Sequence, residues 1–256
     1  MFPTPEQVFL RELDIFRKEV ESACQFFYGG LAMNESAYRY ANVRRMFNAN
    51  ALWWITVDRA LQDAAFIALG RVFDQKSHHG VDRLLRSVER NVTMFSEAAF
   101  KRRKPETDLT PYELRANDVR RFRKQVATHR RIYEKVYGKV RDRVIAHPDL
   151  ADDDNDTHEL FSRTSKAELE RLLGFLGALH DALSHLYMNG RKPVIRRYRR
   201  CVRKDGRLTI PRFKGSEFPR RFVFQAVATL REASGDRKTA SRGSQKSSAR
   251  RKAAGK

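Results

Sequence analysis

Apolar residues recur at steps of three and four through most of the first 190 positions, the spacing that gives a helix one buried face. Phe9, Leu10, Leu13, Phe16, Val20, Cys24 and Phe27 follow Pro5, which suits a first helical turn. Gly29-Gly30 predicts that this helix weakens or ends there. A second long helix is predicted from about Asn48 to Asp74, with Trp54, Val57, Leu61, Ala65, Ala68 and Val72 on one face. Trp53, Ile55, Phe66 and Ile67 widen that face, which predicts a helix central in a bundle. Gly80 separates it from a short helix, Val81–Asn91, and Lys101 to Asp108 forms a basic, Pro-containing linker.

Thr110-Pro111-Tyr112-Glu113 has the form of a capping box with proline at the first helical position. Val119, Phe122, Val126, His129, Tyr133, Val136, Val140 and Val144 then keep helical spacing as far as Ala146-His147-Pro148. Proline disfavours α geometry in the residue before it, so His147 falls at the helix end. Past an acidic loop, Asp152–Asp156, Ser165-Lys166-Ala167-Glu168 opens a leucine-rich helix that Asn189-Gly190 stops. No period-2 strand pattern interrupts residues 1–190. The expected fold class is all-α, an antiparallel helical bundle spanning 1–190. A basic extension, 191–233, follows, with a short helix from Pro193, a brief extended piece at Leu208-Thr209-Ile210 and an amphipathic segment Phe218–Ala233. Residues 234–256 carry no large apolar side chain and are predicted to be a disordered basic tail.

Charge sharpens this division. The chain of 256 residues has a net charge of +21, yet residues 1–190 hold 30 Lys/Arg against 27 Asp/Glu. Residues 191–256 hold 22 against 4. A basic segment on a nearly neutral body points to a polyanionic partner. Arg191, Lys192, Arg196, Arg197, Arg199, Arg200, Arg203 and Lys204 crowd into one stretch with Tyr198 among them. Arg196, Arg197, Arg199, Arg200, Arg203 and Lys204 are the candidate phosphate contacts and Tyr198 a candidate stacking residue for RNA, with DNA open to the basic tail. Deleting 191–256 is expected to leave a folded body that binds RNA weakly. The 27 aromatics exclude a wholly disordered chain, and two separated cysteines, Cys24 and Cys201, exclude a disulfide scaffold or zinc knuckle. Neither a secretory signal nor a transmembrane span is recognisable, which leads to the expectation of a cytoplasmic protein with no membrane partner.

One cluster stands out as chemistry: Arg141-Asp142-Arg143-Val144-Ile145-Ala146-His147-Pro148-Asp149. Arginine, a polar residue after it and a histidine six positions on, at a helix end, resemble the R-x(4–6)-H motif of HEPN domains. The chain from roughly Pro5 to Asn189 is similar to abortive-infection AbiU-type members, including the helix ending Ala68-Leu69-Gly70-Arg71-Val72-Phe73-Asp74. The resemblance implies a helical, metal-independent endoribonuclease without cofactor, of toxin or phage-defence type, with two motifs facing each other across a homodimer. An antitoxin would be a further partner of such a toxin. In that chemistry His147, with an ordinary pKa of about 6.5, takes the proton of the 2′-hydroxyl. Arg141 stabilises the phosphorane charge, and Asp142 orients either side chain.

On a straight helix six residues advance by about 600°, leaving Arg141 and His147 roughly 120° apart. Arg143, four before His147, lies on its face and competes for the cationic role. Arg71 and Asp74 are read as supports of the site or an i,i+3 ion pair closing their helix. The alternative reading is a non-catalytic helical dimer that binds nucleic acid through its basic C-terminal region, with Arg141 and Arg143 in surface ion pairs. Metal binding is not expected: adjacent His78-His79 cannot easily share an ion, and the loop Asp152-x-Asp154-x-Asp156 has Thr157 and Arg163 where a calcium loop needs glycine and glutamate.

Overall fold

A computed structural model describes residues 3–75, 77, 79–142, 163–196, 200–210 and 218–235. The described residues form an all-α bundle built around α1, Pro5–Arg39. A capping box starts α1: the Thr4 side chain accepts from the Gln7 backbone N–H at 3.2 Å, and Gln7 Oε1 accepts from the Thr4 N–H at 2.9 Å. The helix does not end at Gly29-Gly30 as the sequence suggested. Each glycine costs about 1 kcal/mol of helix propensity relative to alanine. Tertiary contact outweighs that cost, since Leu61 and Asp58 of α3 pack over the two glycines.

α3, Ala51–Phe73, runs antiparallel to α1, tied by Arg71 to Glu19 at one end and by Asn34 to Asp58 at the other. The expectation that α3 is central throughout is corrected. Only its second half is buried, from Ala65 onward, whereas Leu52, Trp53 and Ile55 are 81%, 63% and 65% exposed. The short helix α2, Ala41–Ala49, covers one edge through a Phe47–Trp54 ring stack and leaves the remaining apolar positions open among the described residues.

α4, Val81–Arg90, packs antiparallel on α6, Ala116–Ile132, with Arg130–Asp82 and Arg123–Glu89 pairs marking the register. Between them lie a 3₁₀ turn, Val92–Phe95, and α5, Glu97–Arg103, whose last residues take up the start of the Lys101–Asp108 stretch read as a linker. Thr110–Glu113 does not cap a helix. That segment is extended, and α6 begins only at Ala116, with Asp118 accepting from the Arg115 N–H at 3.1 Å and from the Tyr112 hydroxyl at 2.8 Å. The extended piece docks instead on the far end of α8, Lys166–Asn189, where Tyr112 N–H donates to Gly190 O at 2.7 Å. Gly190 is left-handed, φ 59°, and a Cβ there would lie 2.6 Å from Pro111. The Ser165 cap predicted for α8 is present. α8 runs antiparallel to α1, with Phe9 against Tyr187 and Tyr28 hydrogen-bonded to Glu170.

The basic segment after Gly190 belongs to the same core. Residues 191–196 and 200–201 are not helical, against the short helix expected from Pro193. Residues 200–210 form a strap closed by a Val202–Leu208 bridge, with Cys201, Val202 and Leu208 buried. Two buried carboxylates hold it. Glu170 Oε1 accepts from the backbone N–H of Cys201 at 2.5 Å and Val202 at 2.9 Å and from the Tyr28 hydroxyl at 3.1 Å. Glu35, ion-paired with Arg39, accepts from Leu208 N–H at 3.2 Å. The last described helix, α9, spans Phe218–Ala233 as the amphipathic pattern predicted and lies parallel to α1, burying Val223 and Val227. Removing residues 191–256 would therefore strip five buried apolar side chains from the core, so the body alone is not the clean fragment the charge division suggested. The tail from 236 onward lies outside the described residues.

Glu170→Ala leaves three buried donors without their acceptor. Each such donor costs about 1–3 kcal/mol, and partial relaxation brings the expected loss to about 3 kcal/mol in urea unfolding. Limited trypsin digestion should then cut the strap at Arg200 or Arg203 in the variant well before the wild type.

Candidate active site

α6 does not continue as a regular helix towards Arg141. A π-helical turn, Tyr133–Tyr137, is followed by three α-helical residues, α7 Gly138–Val140, and Arg141-Asp142 are again π-wound. Such insertions are rare and often occur at functional sites. They shift the angular phase of Arg141 and Asp142 relative to α6. Aromatic stacking fixes the distorted segment on α3: Tyr133 lies on Phe73 with ring centroids 5.3 Å apart, and Tyr137 on Phe66 at 5.8 Å.

Helical side chains lean towards the N-terminus of their helix, and that direction carries the Arg141 guanidinium back over α3 at Gly70. A Cβ on Gly70 would lie 2.6 Å from Arg141 Nη1, 2.8 Å from its Cδ and 3.0 Å from the Tyr133 hydroxyl. The bare glycine is what lets the guanidinium lie this close, and a side chain here would push it aside. Arg141 Nε donates to Asp142 Oδ1 at 2.6 Å, which fixes the plane of a guanidinium that stays 27% exposed. Burial opposes the charge, but the hydrogen bond to Asp142 and the nearby Tyr133, Asp142 and Asp74 raise the Arg141 pKa above its ordinary value. Burial pushes the Tyr133 hydroxyl up to about 12, against the pull of Arg141. It therefore stays protonated, and among the described residues it has no partner in hydrogen-bond geometry. The result is a fixed, partly exposed cation, equipment for holding an anionic oxygen.

Of the residues singled out in the sequence, the structure brings Arg141, Asp142 and Asp74 together. Asp74 acts on Arg141 through its charge from the C-terminal cap of α3. Arg71 turns the other way and pairs with Glu19 of α1 at 3.6 Å. Arg143 and His147 lie outside the described residues, as do Arg197, Tyr198 and Arg199. Arg196, Arg200, Arg203 and Lys204 are exposed, and Arg203 pairs with Asp205 at 3.4 Å. Arg207 joins them on the strap, its guanidinium 4.0 Å from the centre of the Tyr38 ring. His129 stacks on Phe175 at 3.8 Å and His180 contacts Asp181, interior and packing roles. His79 contacts the buried Glu12 at 3.3 Å, and His78 is outside the described residues. The Cys24 thiol, pushed up to about 12 by burial, is a packed core group and not a nucleophile.

A HEPN family model described as AbiU2 matches residues 9–204. The chain belongs to the AbiU2 family. No curated protein and no solved structure matches it. The AbiU2 match extends past Asn189 and takes in the buried Cys201 and Val202 of the strap. No described helix is long and apolar enough to cross a membrane.

Two parts of the site escaped sequence reasoning. Tyr133 was read as a core position, since spacing reports the buried ring and not the orphan hydroxyl. Gly70 was noticed only within a family-like string, and its purpose depends on a side chain 71 residues away. Gly70→Ala separates these effects. The helix gains up to about 1 kcal/mol of propensity, the flexible guanidinium gives way, and global stability should stay within about 1 kcal/mol of wild type. The Arg141 Nε–H resonance should shift strongly. An unmoved resonance would mean that Arg141 does not rest on Gly70 in solution.

Proposed function

We propose that this AbiU2-family protein is a metal-independent endoribonuclease of the toxin or phage-defence type, acting in the cytoplasm. The observation that carries the reading is Arg141, held charged by Asp142 across the glycine gap at Gly70 with its guanidinium partly exposed. Cleavage by 2′-hydroxyl attack concentrates negative charge on the non-bridging phosphate oxygens. A planar guanidinium placed beforehand stabilises that charge. His147 supplies the base: an imidazole near neutral pKa accepts the 2′-hydroxyl proton as the oxygen attacks phosphorus and the 5′-oxygen leaves. The exposed cations of the strap hold the RNA backbone through phosphate contacts that carry no sequence information. A homodimer is part of the same proposal, with the open apolar row Leu52, Trp53 and Ile55 on α3 as its seam. An antitoxin is the natural inhibitor of such an enzyme.

Purified protein incubated with total RNA should yield products ending in a cyclic phosphate or 3′-phosphate, in the presence of EDTA, and should leave DNA intact because DNA lacks the attacking hydroxyl. His147→Ala and Arg141→Ala should each lower the rate by at least about 100-fold while RNA binding is kept. Should Arg143→Ala be the damaging change and Arg141→Ala be harmless, the cationic role passes to Arg143. An inert wild type leaves the non-catalytic RNA-binding dimer as the reading, and a His147→Ala protein that cleaves as fast as wild type removes His147 as the base.

For the seam, light scattering at micromolar concentration should give a dimer for wild type and a monomer for Trp53→Glu/Ile55→Glu. A wild-type monomer would remove the dimer from the proposal.

A further inference from the structure

The bundle has a polar cleft that shares no lining residue with the Arg141 site. It has a volume of about 490 Å³ and lies between the start of α1 and α4, with Gln75 and Ser77 of the α3–α4 connection closing one end. Arg83, Arg86 and Arg90 line it from one face of α4, at spacings of three and four. Its floor holds Glu12, 4% exposed, whose charge is met by Arg83 Nε at 2.9 Å and faced by His79 Nδ1 at 3.3 Å. Arg83 is thereby fixed in place and largely neutralised. Arg86 and Arg90 have no carboxylate partner among the described residues; Arg86 reaches only the Asp82 carbonyl of its own helix, at 3.4 Å. Ser87 lies between them, 9% exposed, and its hydroxyl, shielded from solvent, has no hydrogen-bond partner among the described residues. Asn91 completes the wall, its side-chain amide donating to the Ser87 carbonyl at 2.9 Å.

Two uncompensated guanidinium groups, with a buried, unsatisfied hydroxyl between them that a turn about χ1 brings to the cleft, form a receptor for an anion with several acceptor oxygens. The volume falls in the range of small-ligand pockets, about 300–1,000 Å³, which is far more than a bare phosphate needs and enough for a phosphate carrying a base and sugar. We propose that the α1–α4 cleft is a nucleotide-binding subsite, in which Arg86, Arg90 and the Ser87 hydroxyl hold a nucleotide phosphate. This proposal extends the nuclease reading but does not need it, since the cleft shares no residue with the Arg141 site. The nucleotide comes either from an RNA strand or as a free mononucleotide.

The two sources are separated by titrating the full-length protein with adenosine 5′-monophosphate in a calorimeter and with a labelled 12-nucleotide single-stranded RNA by fluorescence anisotropy. Binding is read, not cleavage, so a silent Arg141 site leaves the outcome readable. Arg86→Ala/Arg90→Ala, two exposed positions, should weaken at least one of these ligands by tenfold or more, and Ser87→Ala should weaken the same ligand. Arg141→Ala should leave it unchanged. Loss confined to RNA assigns the subsite to the strand, and saturable loss with the mononucleotide assigns it to the free ligand. The control Arg44→Ala/Arg45→Ala removes the same charge from two exposed positions of α2, outside both sites. If the cleft variant weakens neither ligand more than this control does, the subsite does not exist.

Discussion

A thirty-five-residue helix that is buried along most of its length sets the plan of this protein. α1 carries apolar side chains on nearly every side in its second half, so it is stable only when surrounded. α3, α8 and α9 supply that cover, and the strap fills the remaining gap through Cys201, Val202 and Leu208. The fixed position of α3 against α1 is in turn what presents Gly70 to the Tyr133–Asp142 segment. Without a rigid α3 there would be no gap for Arg141 to lie across, and the guanidinium would be one more solvated surface cation.

Charge is used in two ways. Inside, Glu12, Glu35 and Glu170 are buried carboxylates, and each accepts from more than one donor. Such groups are costly unless fully partnered, and here they join segments far apart in the chain, most clearly the strap to α1 and α8. Outside, the same strap shows Arg196, Arg200, Arg203, Lys204 and Arg207 to solvent. Excess positive charge is thus mounted on a buried anchor, which holds the cations at a fixed place on the bundle. A flexible tail would spread the same charge over a large volume.

The helices that were legible in the sequence are those whose burial is regular. The Leu169–Leu186 periodicity, the Ser165 cap and the Gly190 stop all describe α8 correctly, and Phe218–Ala233 is α9 to the residue. Local signals failed where tertiary contact overruled them. Gly29-Gly30 looks like an interruption until α3 is seen pressed against it, and Thr110-Pro111 looks like a helix start until Gly190 offers a dock. The apolar first half of α3 misled in the opposite direction, since periodicity does not say whether the cover comes from the same chain. At the site, Arg141 and Asp142 were legible because the motif is contiguous. The π turns, the Gly70 gap and the orphan hydroxyl were not, because each depends on how two distant segments meet. The role of His147 rests on chemistry and family likeness, since it falls outside the described residues.

The central claim is that the Arg141 cation, resting over Gly70, stabilises charge on a scissile phosphate. Its most direct test is chemical rescue: RNA cleavage by Arg141→Ala measured with and without millimolar guanidinium chloride, at constant ionic strength. The account predicts an inactive variant that regains a saturable part of the wild-type rate with guanidinium, since the cavity left beside Asp142 and Tyr133 has room for the free ion. An Arg141→Ala protein that cleaves RNA as fast as wild type without the additive would contradict it.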